Sequence, residues 1–521
     1  MSSQGMEMKP EQWALYNSAC YLGGRGITLG SPIVPGKSKS EDSWSVVVDP
    51  TPSEASAIQA EGFGMFRDGE FDHVYIGPRL GIVPNWKPLL AEGWRKLKLN
   101  GHLVVFLRLN FSDQGQVEFT AREVTETLGG VGKWKEKFSG EFEGWGLWIL
   151  KKIDGRRGIV PADPPPPKRA CVVRYGAIGD AVIITPMIRQ LHEEGYHVTV
   201  NVSRYCKEVF SYNPYVDNLL IHEREMIPNG ELGAYWKFWE PQYDKYIQLS
   251  ESLEGELLQV ESRKSFYTSK AWRVKQGNKN YYTHAFVRAG LTPPERPRGE
   301  LFFSNSEERE MKKFFAGLEG KFVILWALNG SSHHKIYPLM EPVMQRWWET
   351  HKDTVLITVG DHVARLLEID DHPLSIPKAD KWSIREAMLA TKYASLVVGP
   401  ETAITNAAGC YPTPKIVLLS HSSQEALTKH FENDFSLTPS PELAPCHPCF
   451  QLHFSKESCP LVTIQDTTTN TPLAEVPICC AAIGPQRLLD RIEEVYTLWK
   501  EKKGCPMPTT LPGLVRPSEQ Q

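Results

Sequence analysis

The stretch that decides the fold is 174-RYGAIGDAVIITPMIRQL-191, which directly follows the apolar run 170-ACVVRY-175. A β-strand that turns at Gly176 and Gly179 and opens into a helix places two residues without side chains where the chain bends most tightly. The same bend lets a ligand approach the backbone, and the helix start offers N–H groups to an anion. Asp180 sits at that start, where it is either a helix cap or a carboxylate with chemistry to perform. Outward from this motif the alternation continues through 197-HVTVNVS-203, 218-NLLIH-222 and 243-YDKYIQLS-250. A second series follows in 321-KFVILWAL-328, 354-TVLITVG-360, 394-ASLVVG-399 and 415-KIVLLS-420. Two βαβ series of similar size predict two Rossmann-like lobes facing a cleft, closed by an amphipathic helix over 485-PQRLLDRIEEVYTLWKEKK-503.

Upstream, 153-IDGRRGIVPADPPPPKRA-170 contains four successive prolines, which cannot donate backbone hydrogen bonds and favour an extended chain. It reads as a linker between independent domains. Before it, 44-WSVVVDP-50, 71-FDHVYIG-77 and 102-HLVVFLRL-109 read as strands, with a helix near 86–98. The run 133-KWKEKFSGEFEGWGLWILKKI-153 alternates apolar and polar residues around turn-formers and predicts a hairpin. Parallel strands ending in a hairpin predict a Rossmann-like sheet with an antiparallel edge. The chain of 521 residues is therefore expected to be α/β with three Rossmann-like domains. Its parts are 1–153, the linker 154–169, lobes 170–300 and 301–505, and a tail 506–521.

Charge and composition narrow the partners. With 58 Lys+Arg against 62 Asp+Glu the net charge is −4, so no overall basic field draws the chain to nucleic acid. No run approaches about 18 apolar residues, so no membrane-spanning helix is expected. The start MSSQGMEMKPEQW lacks a secretory pattern. Six of the 10 cysteines fall in the last eighty or so positions, which suggests a local feature in a cytoplasmic protein rather than a secreted disulfide framework. Cys446, Cys449, Cys459 and then Cys479 or Cys480 have spacings that suit a four-thiolate structural site for zinc or iron. Reduced, unconnected thiols are the plain alternative.

The string Arg174, Gly176, Gly179, Asp180, Thr185, Pro186 resembles the first motif of family 9 glycosyltransferases, the heptosyltransferase-like group with the GT-B fold. The resemblance runs on through 213-NPYVDNLLIH-222 and the second lobe, about residues 170–500. It implies that the last two domains form a GT-B fold and that Asp180 is the general base. The reaction would move a sugar, heptose-like or another hexose, from a nucleotide-diphospho-sugar to a hydroxyl acceptor with inversion, without a catalytic cofactor. The acceptor would be a glycan, lipopolysaccharide, a protein or a modified nucleic acid. In 323-VILWALNGSSHHKIYP-338, Lys335 matches the lysine that meets the donor diphosphate; His333 and His334 read as loop residues. The segment 396-LVVGPETAITNAAG-409 resembles the family's D-[ST]-G-x-x-H motif, with Glu401 for Asp, Thr402 retained, Ala403 for Gly and Asn406 for His. Glu401 either serves the donor or caps the following helix. Asp361 is read as a ribose contact, and Trp382 as lying near the base.

The N-terminal part resembles the later half of a class I methyltransferase at Asp72, Arg95, Leu97, Lys98 and Gly101. That implies an S-adenosylmethionine loop at Gly23 and Gly24, with Asp49 on the ribose. No acidic residue precedes the glycines, so the domain reads as degenerate, an acceptor-binding or assembly module. A bifunctional methyltransferase–glycosyltransferase and an inactive nucleotide- or sugar-binding protein are the alternatives.

Overall fold

The structure is a computed structural model, and it describes residues 26–29, 45–48, 57–58, 71–76, 87–108, 120–131, 133–142, 145–153, 168–222, 232–250, 256–261, 264–453, 459–465 and 472–502. Gly23, Gly24, Asp49, linker residues 154–167 and the tail lie outside the described residues.

The chain divides into two compact units, Met1–Gly176 with Met187–Ser250, and Ala177–Pro186 with Glu251–Gln521. The first unit carries two sheets. Strands β1 (Gly26–Leu29), β2 (Ser45–Val48), β3 (Ala57–Ile58), β4 (Phe71–Ile76), β5 (Leu97–Arg108), β6 (Trp134–Phe142) and β7 (Trp145–Lys152) form a seven-stranded sheet in the order β3-β2-β1-β4-β5-β7-β6. β1 to β5 run parallel, and β7 lies antiparallel between β5 and β6. The alternating run at 133–153 is that terminal hairpin, so the expected antiparallel edge is present. Strands β8 (Lys168–Arg174), β9 (Tyr196–Ser203), β10 (Asn218–His222) and β11 (Lys245–Gln248) make a parallel sheet ordered β10-β9-β8-β11. β8 is apolar on both faces from Ala170 to Val173, whereas β9 turns Val198, Val200 and Val202 to one face and Thr199 and Asn201, both buried, to the other. One apolar cluster includes Phe71, Leu103 and Trp148 from the first sheet and Cys171, Val173 and Trp239 from the second segment.

In the second unit, β13 (Phe322–Ala327), β14 (Thr354–Val359), β15 (Ser375–Pro377), β16 (Leu396–Pro400) and β17 (Lys415–Leu418) form a parallel sheet ordered β15-β14-β13-β16-β17. Two short strands, β12 (Gln259–Val260) and β18 (Gln451–Leu452), pair separately, and β19 (Leu461–Gln465) with β20 (Pro472–Pro477) make an antiparallel ribbon. The final helix, Pro485–Lys502, buries Leu488, Ile492, Val495 and Tyr496 in the same core as Trp326, Trp347 and Trp348. The fold class is thus α/β with three Rossmann-like sheets. Among the described residues no helix is long and apolar enough to cross a membrane.

Strand order locates the places where ligands collect. In open parallel sheets the crevice lies beyond the carboxyl ends of the strands where the order reverses. In the second sheet that point is β8/β11; in the third it is β13/β16. The loops after β8, β13 and β16 carry the three motifs singled out from the sequence.

One buried lysine ties the first sheet together. Lys152, only 9% exposed, donates to Trp94 O at 3.0 Å and Leu97 O at 2.9 Å, closing the carboxyl end of the helix Lys87–Lys96. Replacing it leaves two carbonyls without that donor. Lys152→Ala should cost about 1–3 kcal/mol, read as a lower urea midpoint and faster hydrogen exchange across 87–108. An unchanged midpoint and exchange pattern would show that water replaces the lysine without loss.

Candidate functional site

In the first unit, β8 ends on Arg174, which is fully buried and donates from Nη1 to Tyr175 O at 2.8 Å and Ser250 O at 2.9 Å. Tyr175 N donates to Ser250 Oγ at 3.1 Å, and the Cys206 thiol to Gly176 O at 3.3 Å. These bonds fix the backbone as it leaves the strand. In the second unit the turn closes with Asp180 N donating to Ala177 O at 3.0 Å. Asp180 Oδ2 accepts from Ala177 N at 2.8 Å. The carboxylate therefore reaches back over the first turn of the helix Ile178–Glu193, where the helix dipole favours an anion. A Cβ on Gly179 would stand 2.7 Å from Asn406 Nδ2. The first and third motifs meet because position 179 carries no side chain.

The β13 loop brings in Lys335 at the end of the short turn His333–Lys335. Its stem lies against Gly330, where a Cβ would be 2.8 Å from Lys335 Cδ and 3.1 Å from Thr402 Cγ2. Lys335 is 8% exposed, and its Nζ stands 3.5 Å from Ser331 Oγ. Burial pushes the ammonium below its ordinary value, while Glu401 and then Asp180 oppose that shift. A bound polyanion would favour the charged form further. Lysine, glutamate and aspartate thus form one electrostatic group.

Glu401 is held from behind. Its Oε1 accepts from the backbone N–H groups of Ser420, His421 and Ser422 at 2.8, 3.2 and 3.3 Å, and Oε2 accepts from Ser420 Oγ at 2.8 Å. His421 Nδ1 lies 3.2 Å from Oε1. Burial alone would raise this carboxyl; His421 beside it, with Lys335 and His334, outweighs burial and holds it well below the usual carboxylate range. His334 packs edge-on against His421 and His453 at 4.9 and 5.6 Å between ring centres. Ser332 Oγ lies 2.8 Å from His334 Nδ1. Burial, then His421 and Lys335, push the His334 imidazole well below its ordinary value.

The remaining sequence-derived residues divide by what they touch. Thr402 and Thr405 cap the helix Ala403–Ala408 reciprocally, at 3.4 and 3.0 Å, so Glu401 is not its cap. Ala403 contributes backbone only to that start. Asn406 Nδ2 donates to Thr402 O at 3.0 Å, and its buried Oδ1 accepts no hydrogen bond among the described residues. Asp361 Oδ1 accepts from Asn329 Nδ2 at 2.8 Å and from the N–H groups of Val363 and Ala364 at 3.0 Å, closing its own loop. Those bonds, led by Asn329, outweigh burial and lower its carboxyl. Trp382 meets Phe314 edge-on at 5.1 Å and lines a cavity of about 410 Å³ with Glu307, Arg385 and Ser383.

The cysteines gather only in part. Cys446 and Cys449 share one loop, and Cys459 is in electrostatic reach of both and of Cys479. Cys449 Sγ stands 3.9 Å from His453 Nε2. Among the described residues no three His, Cys, Asp or Glu side chains are arranged to hold a metal ion. The four thiols as they stand do not fit a closed tetrahedral cage, which needs all four sulfurs about 2.3 Å from one centre.

Sequence reading did not single out Ser420, His421, Ser422 or His453. The available signal was the position of 420-SHSS-423 directly after β17, at the carboxyl edge of a parallel sheet.

No protein-family model matches the chain, and no curated protein does. Solved structures do resemble it. A family 9 glycosyltransferase from Veillonella parvula is 12% identical, covering 64% of this chain and 98% of that one, with a TM-score of 0.46. The ADP-heptose LPS heptosyltransferase II of E. coli is 11% identical over 64% and 99%, with a TM-score of 0.40. A SAM-dependent methyltransferase from Thermotoga maritima is 19% identical over 27% and 87%, with a TM-score of 0.22.

Glu401 makes the site's stability depend on pH. A carboxylate depressed in the fold stabilises above its unfolded pKa of about 4.3 and loses that contribution as pH falls through the folded value. Glu401→Gln should therefore cost about 3–5 kcal/mol at pH 7, the range for breaking a buried ion pair. The gap from the wild type should shrink below about pH 4. Urea unfolding of both proteins from pH 7 to pH 3 checks this; a gap that stays constant over that range would contradict it.

Proposed function

We propose that the chain is an inverting glycosyltransferase of the GT-B kind, which moves a sugar from a nucleotide-diphospho-sugar to a hydroxyl acceptor. The observation that carries this reading is the burial of Lys335 and Glu401 on the loops after β13 and β16, with the Asp180 turn brought to the third motif by the close approach of Gly179 to Asn406. It is supported by the position of Lys335 and Glu401 just beyond the carboxyl ends of β13 and β16, where strand order reverses. A diphosphate leaving group needs a fixed positive charge, and Lys335 supplies one on a stem that lies against Gly330. The attacking hydroxyl needs a base, and Asp180 offers a carboxylate oriented by its bond to Ala177 N. Attack opposite the departing diphosphate inverts the anomeric carbon and requires only this one carboxylate.

The other residues take narrower parts in the proposal. Thr402 and Asn406 contact the donor, with the unmatched Oδ1 of Asn406 accepting from a sugar hydroxyl. Glu401, whose two oxygens are held by the Ser420–Ser422 loop, and Asp361, whose Oδ1 is held by Asn329 and by its own loop, shape the donor site from behind. Catalysis is metal-independent in this reading because Lys335 carries the counter-charge. The acceptor is a glycan, lipopolysaccharide, a protein or a modified nucleic acid, and the sparse cysteines suit a cytosolic enzyme. The methyltransferase-like sheet serves as an acceptor-binding or assembly module. A second reading, binding of a nucleotide sugar without turnover, is favoured by Ala403 and Asn406, which bring no ionisable group to the third motif.

Asp180 and Lys335 should separate in kinetics. With ADP-, GDP- and UDP-sugars as donors, Asp180→Asn should lower kcat by ~10²–10⁴-fold and leave calorimetric donor affinity nearly unchanged. Lys335→Ala should weaken donor binding and slow the chemical step together. Full turnover in Asp180→Asn would remove the assigned base. Donor binding by the wild type without transfer to any acceptor or water would favour the second reading.

A further inference from the structure

One strongly charged stretch of the second unit supplies no residue to the candidate donor site. From Ser262 to Pro294 the sequence carries seven Lys and Arg residues and no Asp or Glu, in a chain whose net charge is −4. Aromatic residues are interleaved with them. Phe266, Tyr281, Tyr282 and Phe286 are buried in the fold, but Tyr267 and Trp272 are 78% and 40% exposed.

The helix Lys270–Gly277 fixes which residues face outward. Ser269 Oγ accepts from Trp272 N at 3.3 Å and caps its start. Lys270 Nζ donates to Pro445 O at 2.6 Å and His447 O at 3.0 Å, and Arg273 Nε donates to Cys449 O at 2.7 Å. A Cβ on Gly277 would stand 2.5 Å from Leu257 O and 2.7 Å from Phe450 Cγ. Positions 270, 273 and 277 are three and four residues apart, so they form one stripe, and that stripe is fastened to the protein. At about 3.6 residues per turn, Trp272 and Lys275 fall on the opposite side, and both are exposed. Lys279 follows just past the helix end, and Lys264 and Tyr267 bound the short turn before it; all three are exposed. Lys264, Lys275 and Lys279 have no acidic partner among the described residues. Other cations of the same unit do: Arg288 pairs with Glu256, Arg298 with Glu432, Lys392 with Glu308 and Lys429 with Glu425.

We propose that this face is a docking surface for a membrane with anionic headgroups. Three unpaired ammonium groups on one acid-free stretch are complementary to a layer of negative charge. Lysine is a point charge on a flexible stem and suits scattered headgroups, whereas the planar fork of arginine suits bidentate recognition of a single phosphate. Tyrosine and tryptophan suit the same boundary, because each joins an apolar ring to a polar tip. The attachment is peripheral, with the rings in the headgroup layer and the helix lying along the surface. Each lysine close to such a surface strengthens binding about fivefold, and salt screens the attraction. Donor binding and sugar transfer play no part in this proposal.

The test co-sediments the full-length protein with phosphatidylcholine vesicles, with and without phosphatidylserine, at low and high salt. The protein should bind only the anionic vesicles and leave them at high salt. Lys264→Gln, Lys275→Gln and Lys279→Gln combined should weaken that binding about 100-fold. Lys312→Gln, Lys313→Gln and Lys321→Gln combined change the net charge equally at exposed positions elsewhere in the unit, and should weaken it less than about threefold. Trp272→Ser should weaken it several-fold with all the lysines in place. Hydrogen exchange across 264–279 should slow on the anionic vesicles and not on the neutral ones; thermal melting confirms that each variant folds. No binding to the anionic vesicles, or an equal loss in the two triple variants, would overturn the proposal. Capture by a single-stranded oligonucleotide without capture by vesicles would overturn it too, and would make the partner a nucleic acid.

Discussion

A buried carboxylate cannot stay ionised without partners, and the loops at the end of the third sheet are organised around that requirement at Glu401. Three backbone N–H groups and a serine hydroxyl converge on it from Ser420–Ser422, with His421 alongside. This fastens the loop after β17 to the loop after β16. The charge so held also acts on Lys335, opposing the shift that burial imposes on a lysine with little access to water. Without Glu401, desolvation would bear on Lys335 with only Asp180 against it. The cation of the site therefore depends on a glutamate whose own oxygens are engaged elsewhere.

Close approach is the second constraint, and small residues provide it. Gly179 admits the Asn406 amide against the first motif, and Gly330 leaves room beside its backbone for the Lys335 stem and the Thr402 methyl group. At both places a single methyl group would enter another side chain's volume. In a densely packed interior such a clash is relieved only by moving the neighbour, and here the neighbours are side chains of the candidate site. The glycines thus set positions for Asn406 and Lys335 that no hydrogen bond alone would fix.

Much of the architecture was legible in the amino-acid sequence because it follows from periodicity. The continuous apolar runs of β8, β13 and β16 announce parallel strands covered on both faces, and the alternation of 133–153 announces a hairpin. Motifs directly after those strands were legible as well, since a strand–Gly–helix turn is a local signal. What one residue does across a gap was not. Glu401 stands where a helix cap was an option, yet Thr402 and Thr405 do the capping and Glu401 turns to a loop about twenty residues on. Asp180 does cap its helix and also faces a lysine far along the chain. The cysteine spacings suggested one centre, and the structure sets Cys446 and Cys449 on one loop and Cys479 on the short helix after β20, an arrangement that spacing does not encode.

The account stands on the claim that Lys335 and its neighbours receive the diphosphate of a nucleotide. A crystal structure determined with a nucleoside diphosphate, ADP first and then GDP and UDP, measures this most directly. The account predicts diphosphate oxygens about 2.7–2.9 Å from Lys335 Nζ, with the Thr402 hydroxyl beside them and Glu401 still bound to the Ser420–Ser422 turn. A nucleotide seated elsewhere, with Lys335 still buried on Ser331, would contradict it.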